Sequence, residues 1–360
     1  MAATPRYQFI IVDQSGNLYE FENCVKRAWE WYENDVGRCR FYIPKNDIKL
    51  STTSVPDGAF SEIRVYRDGV LVWQGMTQIV QDTPEGTYVY GETYLAAFRW
   101  YSVRFQRVYT AENLATIIGG EYDDIAARSN NFLLAKITKG TIESPYTTST
   151  TTPLTITRTL YHENWLDFLK QMMFIGRAEI ASSFSQYTVF NISFSETTPT
   201  FSFLRDVGSN KPDVIFEMDS EVIEHNIPRD FRFIENEGKG FAVASGPIAI
   251  NSTETDATSQ TAFYRRESYP YYNNVTGQID LDKRVNNRIA ERKDPKRSMY
   301  LKFAAGLKPF DGYVMGDNVK IRIDSGRVDS DEYRRVVGMQ VAIDDTGVEF
   351  TVPILQKARV

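Results

Sequence analysis

Cysteine and histidine are almost absent from this chain: its 360 residues hold two of each, Cys24, Cys39, His162 and His225. Two cysteines do not make a disulfide scaffold, and their spacing is no zinc motif, so two buried free thiols are expected. Two histidines far apart in sequence restrict His-based catalysis and His-rich metal sites. No G-x-S-x-G elbow occurs; His162 opens an expected helix and His225 lies in Glu224-His225-Asn226, so surface or packing roles are expected for both. No apolar run approaches the ~20 residues that span a bilayer, and Met1 to Arg6 lacks a signal-peptide pattern. A chain made in a cytoplasm and staying soluble is the expectation. Positive charge is not in excess either. The formal net charge of −6 excludes nucleic-acid binding through the overall field, while suiting a passage through which nucleic acid slides without sticking.

Tryptophan is scarce, at 5, beside 22 Phe and 21 Tyr. Aromatic and β-branched side chains fit a pleated, half-buried surface, which points to sheet. From Tyr7 to about Tyr101 the chain reads as short strands and tight turns: Tyr7–Asp13, Leu18–Val25, Arg38–Pro44, Ile63–Arg67, Val70–Gln74 and Thr87–Glu92. Asp68-Gly69 between two β-like runs predicts a type I′ hairpin, which needs φ > 0 at both central residues. A small barrel or sandwich is expected here, closed because open edges invite unwanted pairing.

The period changes in the middle. Thr110 is expected to cap a helix through Leu114, Ile117 and Ile118 that ends at Gly119-Gly120. The Thr-rich stretch Thr138–Thr159 reads as an extended loop. Trp165, Phe168, Leu169, Met172 and Met173 recur at helical spacing before Gly176, a core stripe. Strands follow at Tyr187–Phe194, Val214–Glu217 and Phe241–Ser245, then a polar loop at Asn251–Gln260. A charged helix is expected over Ile279–Arg292, with Leu281, Val285 and Ile289 facing inward. The tail alternates again: Val319, Ile321 and Ile323, then Val337, Met339, Val341 and Ile343, then Val348, Phe350, Val352 and Ile354, each run burying one face.

Chemistry-bearing motifs fail on spacing. Gly238-Lys239-Gly240 reads as a turn rather than a phosphate loop. Asp280-x-Asp282 lacks the glycine that a calcium loop needs at its sixth place, which Val285 holds, so Glu291 at the twelfth place does not make it one. Asp123-Asp124 and Asp329 with Asp331 lie in polar stretches that give no facing carboxylate pair. No catalytic residue, cofactor or metal ligand is assigned. Two interface candidates remain: the hairpin tip Arg67, Asp68 and Gly69, and the helical row Arg284, Arg288 and Arg292. That row reads either as a contact for an acidic partner or phosphates, or as a solvated face balanced by Asp280, Asp282, Glu291 and Asp294; the second is preferred.

The order of features resembles a known family. Ile63–Gly75 (IRVYRDGVLVWQG) is similar to the early hairpin of baseplate hub proteins of long-tailed bacteriophages, as are Tyr7–Tyr19, Asn34–Pro44 and the Leu95-to-Arg99 stretch. Gly312–Val319 resembles the step into that family's last barrel, and Arg335–Pro353 its closing hairpin. Ser259–Glu267 also fits, with Arg265 where glycine is usual.

The resemblance implies a mainly β fold with α/β insertions, two tail-tube-like β-barrels flanking mixed α/β domains. The segments would be 1–105 (N-terminal barrel), 106–210 (inserted α/β domain with the Thr-rich loop), 211–300 (second barrel strands plus an α/β segment) and 301–360 (C-terminal barrel strands). It implies a myophage-hub-like homotrimer at the tail tip of the virion, made in the host cytoplasm. Its partners would be the tail tube, the distal tail protein, the tape-measure protein and a fibre or spike, with DNA passing the lumen unbound. The rivals are a hexameric distal tail protein and a carbohydrate-binding or depolymerising tail protein using Tyr269, Tyr271 and Tyr272.

Overall fold

A computed structural model describes residues 5–21, 23–47, 60–103, 107–128, 136–145, 153–160, 162–176, 179–181, 184–185, 188–205, 207–227, 229–243, 249–272, 275, 277–297, 299–305, 310–325 and 328–357. The first third is a run of strands, as expected: β1 (Tyr7–Val12), β2 (Leu18–Phe21), β3 (Val25–Tyr32), β4 (Arg38–Pro44), β5 (Glu62–Arg67), β6 (Val70–Thr83) and β7 (Gly86–Thr93). Asp68 and Gly69 take φ of 52° and 79°, the two positive values that the β5–β6 turn requires. The sequence gives no sign of β3. A bulge between Val25 and Ala28, with Lys26 at φ 51°, breaks the alternation that would have marked it.

A 3-10 turn at Tyr94–Trp100 leads into the middle segment: β8 (Arg107–Asn113), α1 (Leu114–Ala126), β9 (Thr138–Ile142), β10 (Thr155–Leu160), α2 (Trp165–Gly176), β11 (Glu179–Ala181), β12 (Phe184–Ser185), β13 (Thr188–Ser193) and β14 (Thr200–Arg205). The stripe Trp165, Phe168, Leu169 and Met172 is core, packed with Ile117, Ile118, Phe190 and Phe201. Two expectations are corrected. Thr110 lies in β8, and Asn113 caps α1 instead, its Oδ1 accepting from Thr116 N at 2.8 Å. The helix then runs through Gly119-Gly120, because Tyr122 and Ile125 beyond them add buried surface to the same core. The ends of Thr138–Thr159 are strands β9 and β10; 146–152 lie outside the described residues.

Next come β15 (Asn210–Glu217), β16 (Val222–Asn226), β17 (Arg229–Asp230), β18 (Glu237–Val243), β19 (Ala249–Thr255), α3 (Ala257–Phe263), β20 (Glu267–Ser268), β21 (Tyr271–Tyr272), α4 (Gln278–Arg292), β22 (Lys296–Arg297) and β23 (Tyr300–Phe303). As expected, α4 buries Leu281, Val285 and Ile289. They lie on β18, and that explains Gly238 and Gly240. These are strand residues, not a turn: a Cβ at Gly240 would overlap Val285 Cγ2, and one at Gly238 would press on Ile289. Asn251–Gln260 is likewise not a loop. Its polar residues pair along β18, and Asp256 Oδ1 caps α3 by accepting from Ser259 N at 2.8 Å.

The chain ends in β24 (Asn318–Ser325), β25 (Val328–Ile343) and β26 (Glu349–Lys357). β25, 16 residues long, takes β26 along one edge and β24 followed by β3 along the other. First and last strands thereby join one 11-stranded sheet, in the order β15-β24-β25-β3-β4-β7-β6-β5-β1-β2 with β26 on β25. They also share one core: Phe9, Trp29, Phe41 and Trp73 pack with Val319, Ile321, Met339 and Val341. The chain is mainly β with α/β insertions, as expected. The closure expected of its barrels is not found: among the described residues the strand order is open, ending at β2 and β15. A long β25 that serves both terminal segments fuses them into one sheet instead.

Candidate functional site

The hairpin tip is built into the sheet rather than free. Arg67 Nε lies 2.8 Å from Glu349 Oε2 on β26, Arg67 Nη1 lies 3.1 Å from Asp68 Oδ2, and Tyr7 Oη donates to Glu349 Oε2 at 2.9 Å. Glu349's side chain is 1% exposed. Burial, then the Glu349 carboxylate, pushes the Tyr7 phenol well above its ordinary value. Arg67 thus clamps β5 to β26, and what faces outward is Asp68, Gly69 and Val70.

The arginine row splits in two. Arg284 is buried, its Nε 2.9 Å from Asp280 Oδ1, one turn earlier on α4. Arg288 donates from Nε (2.6 Å) and Nη2 (2.8 Å) to the Glu235 carboxylate, and Arg292 reaches the same group. Burial raises the Glu235 carboxyl, but the hydrogen bonds from Arg288 and Arg292 outweigh it and hold it below the usual range. Of the balancing acids read from sequence, Asp280 does pair with the row, while Asp282 accepts from Gln278 at 2.7 Å. Glu235, more than 50 residues upstream of Arg288, carries no local signal.

His162 is exposed ahead of α2, and His225 sits half-buried in β16. Cys24 and Cys39 are buried free thiols, as expected, and burial raises Cys24 to about 12 and Cys39 well above its ordinary value. Asp123 and Asp124 on α1 are engaged by Lys139 and Arg107. Among the described residues no three His, Cys, Asp or Glu side chains gather as a metal site would need. No helix is long and apolar enough to cross a membrane among them.

Surfaces are where the structure offers something. The face of the β18–β21 sheet away from α4 exposes Phe241, Val243, Tyr269 and Tyr271. Tyr272, on the opposite face, is half-buried and lies under the Arg284 guanidinium at 5.7 Å. Arg265, the departure from the family pattern, pairs with Glu237 and Glu267, while Tyr264 before it takes the positive φ of 61°. The sheet ends β2, β15 and β26 each pair on one side only among the described residues.

No protein-family model and no curated protein sequence matches the chain. Solved structures do. The 43 kDa tail protein of prophage MuSo2 from Shewanella oneidensis is 12% identical at a TM-score of 0.65, covering 97% of this chain and 98% of its own. A prophage tail protein from Listeria monocytogenes EGD-e is 12% identical at 0.62, covering 98% and 95%. The tail protein from Neisseria meningitidis MC58 is 10% identical at 0.61, covering 97% and 96%. A Francisella PdpA–VgrG complex chain matches at 0.54 with 6% identity, and only 54% of that chain is covered. Almost end to end, this chain has the fold of phage tail proteins.

Proposed function

We propose that the chain is a structural protein of a long-tailed phage tail tip, a baseplate hub that assembles as a homotrimer. The observation that carries this is the whole-length correspondence of fold with two prophage tail proteins and the tail protein from Neisseria meningitidis. The segments 1–105, 106–210, 211–300 and 301–360 are part of the reading. The hairpins support it: Asp13 closes β1–β2 by accepting from Ser15 N and Asn17 N, and Asp344 closes β25–β26 by accepting from Thr346 N and Val348 N. In this reading the open ends β2, β15 and β26 find neighbours in adjacent copies, since unpaired edges are templates for another strand. The ring closes its barrels that way, with Asp68, Gly69 and the outer parts of Arg288 and Arg292 at contacts. It joins the tail tube, distal tail protein, tape measure and fibre or spike, and it opens for DNA.

The mass of the assembled particle tests this. Three copies are expected; six favour a distal tail protein, and a lone subunit that releases saccharide overturns both. The exposed Tyr269, Tyr271 and Phe241 favour a glycan-binding second reading, which a glycan-binding assay checks directly.

A further inference from the structure

One register runs straight across the outer face of the large sheet. Phe350 on β26 pairs with Ala342 on β25, Ala342 with Ala28 on β3, Ala28 with Arg40 on β4, Arg40 with Tyr90 on β7, and Tyr90 with Ile79 on β6. Side chains directly opposite in a ladder share a face. None of these six is buried, with Phe350 44% and Ile79 58% exposed, whereas Trp29, Phe41, Val89 and Val341 beside them in sequence form the core beneath. The two alanines are a low floor between aromatic walls, and a groove of about 470 Å³ lies there.

The groove is cationic on a chain of net charge −6. Lys26, Arg27 and Arg40 line it against one acid, Asp344, whose carboxylate is taken up by the amides and hydroxyl of its own turn. Lys26 Nζ donates to Tyr88 Oη at 2.6 Å and sits 5.2 and 5.1 Å above the Tyr42 and Tyr88 rings. Arg40 makes no ion pair among the described residues. The Tyr42 and Tyr88 rings pack on each other at 4.5 Å beneath Lys26, so their faces are not free to stack on nucleic-acid bases.

We propose that this groove docks an extended, acidic segment of another protein. The segment lays small or aliphatic side chains over Ala28 and Ala342, between Phe350 and Tyr90, and sets carboxylates against Arg40 and Lys26. Charge complementarity selects that occupant: Lys26, Arg27 and Arg40 face one acid that is already engaged in its own turn. The shallow alanine floor takes a single extended strand of chain better than a folded surface.

Fluorescence anisotropy on the full chain tests it, with a labelled short peptide of alternating leucine and glutamate as probe and its leucine–lysine counterpart as control. The glutamate peptide is expected to bind, more weakly as salt rises, and the lysine peptide is not. Arg40→Glu is expected to weaken binding about tenfold or more, and Ala342→Trp to abolish it by filling the floor. Arg232→Glu, an exposed arginine elsewhere, leaves binding unchanged and controls for net charge. Denaturation midpoints show that each variant folds, and Arg40→Glu stands alone if Ala342→Trp does not. No binding by the glutamate peptide, equal binding of both peptides, or indifference to Arg40→Glu overturns the proposal. So does a change of particle mass in Arg40→Glu, which makes the groove a contact between copies; the hub reading survives the first three outcomes.

Discussion

Arg335 and Glu33 form a buried ion pair across 302 residues of sequence, each side chain 2% exposed. Arg335 Nε lies 3.3 Å from Glu33 Oε2, and its Nη1 donates to Val207 O at 2.7 Å and to Gly316 O at 2.6 Å. One guanidinium thus ties β25, the turn after β3, and the segment leading into β15. A buried pair is costly to assemble, but removing one member strands the other charge. Arg335→Ala is expected to cost about 3–5 kcal/mol, while Arg335→Met combined with Glu33→Gln costs clearly less. Urea denaturation of both variants checks this, and an equal loss would contradict it.

Glu235 makes stability depend on pH. Its carboxyl is depressed in the folded chain, so its contribution is complete above the unfolded carboxylate value of ~4.3 and is lost as pH falls through the folded value. Glu235→Gln is therefore expected to lower stability at neutral pH and to flatten its decline on the acid side. Denaturation midpoints between neutral and strongly acidic pH measure it, and a parallel decline in both proteins would count against the network.

Gly240 meets Val285 at the seam between β18 and α4. Gly240→Ala is expected to destabilise by about 1–3 kcal/mol through overpacking. In a Val285→Ala background the same change costs little, because the facing methyls are gone. A double-mutant cycle reads the coupling; additive losses would deny the contact.

Burial keeps Cys24 and Cys39 protonated. Thiolate is the reactive form, so iodoacetamide at mildly alkaline pH is expected to label neither thiol in the folded chain and both in urea. Mass spectrometry counts the adducts, and rapid labelling of the native protein would contradict the packing around them.

What the sequence revealed was local. Asp68-Gly69 announces its hairpin because two adjacent residues carry the backbone requirement, and Leu281, Val285 and Ile289 announce α4 through spacing alone. Gly238 and Gly240 misled because a glycine pair looks the same in a turn as under a helix. The fusion of the terminal strands was illegible: it depends on β3, hidden by its bulge, and on β25 meeting it from the far end of the chain. The arginine row was visible, but its main partner Glu235 was not, since nothing within a helical turn marks it.

Where the chain sits in an assembled particle tests the account most directly. Immunogold electron microscopy of phage particles that contain it, with antibody raised against this chain, is expected to place label at the distal end of the tail and nowhere else. Label spread along the tube, on the head, or missing from particles altogether would contradict a tail-tip hub.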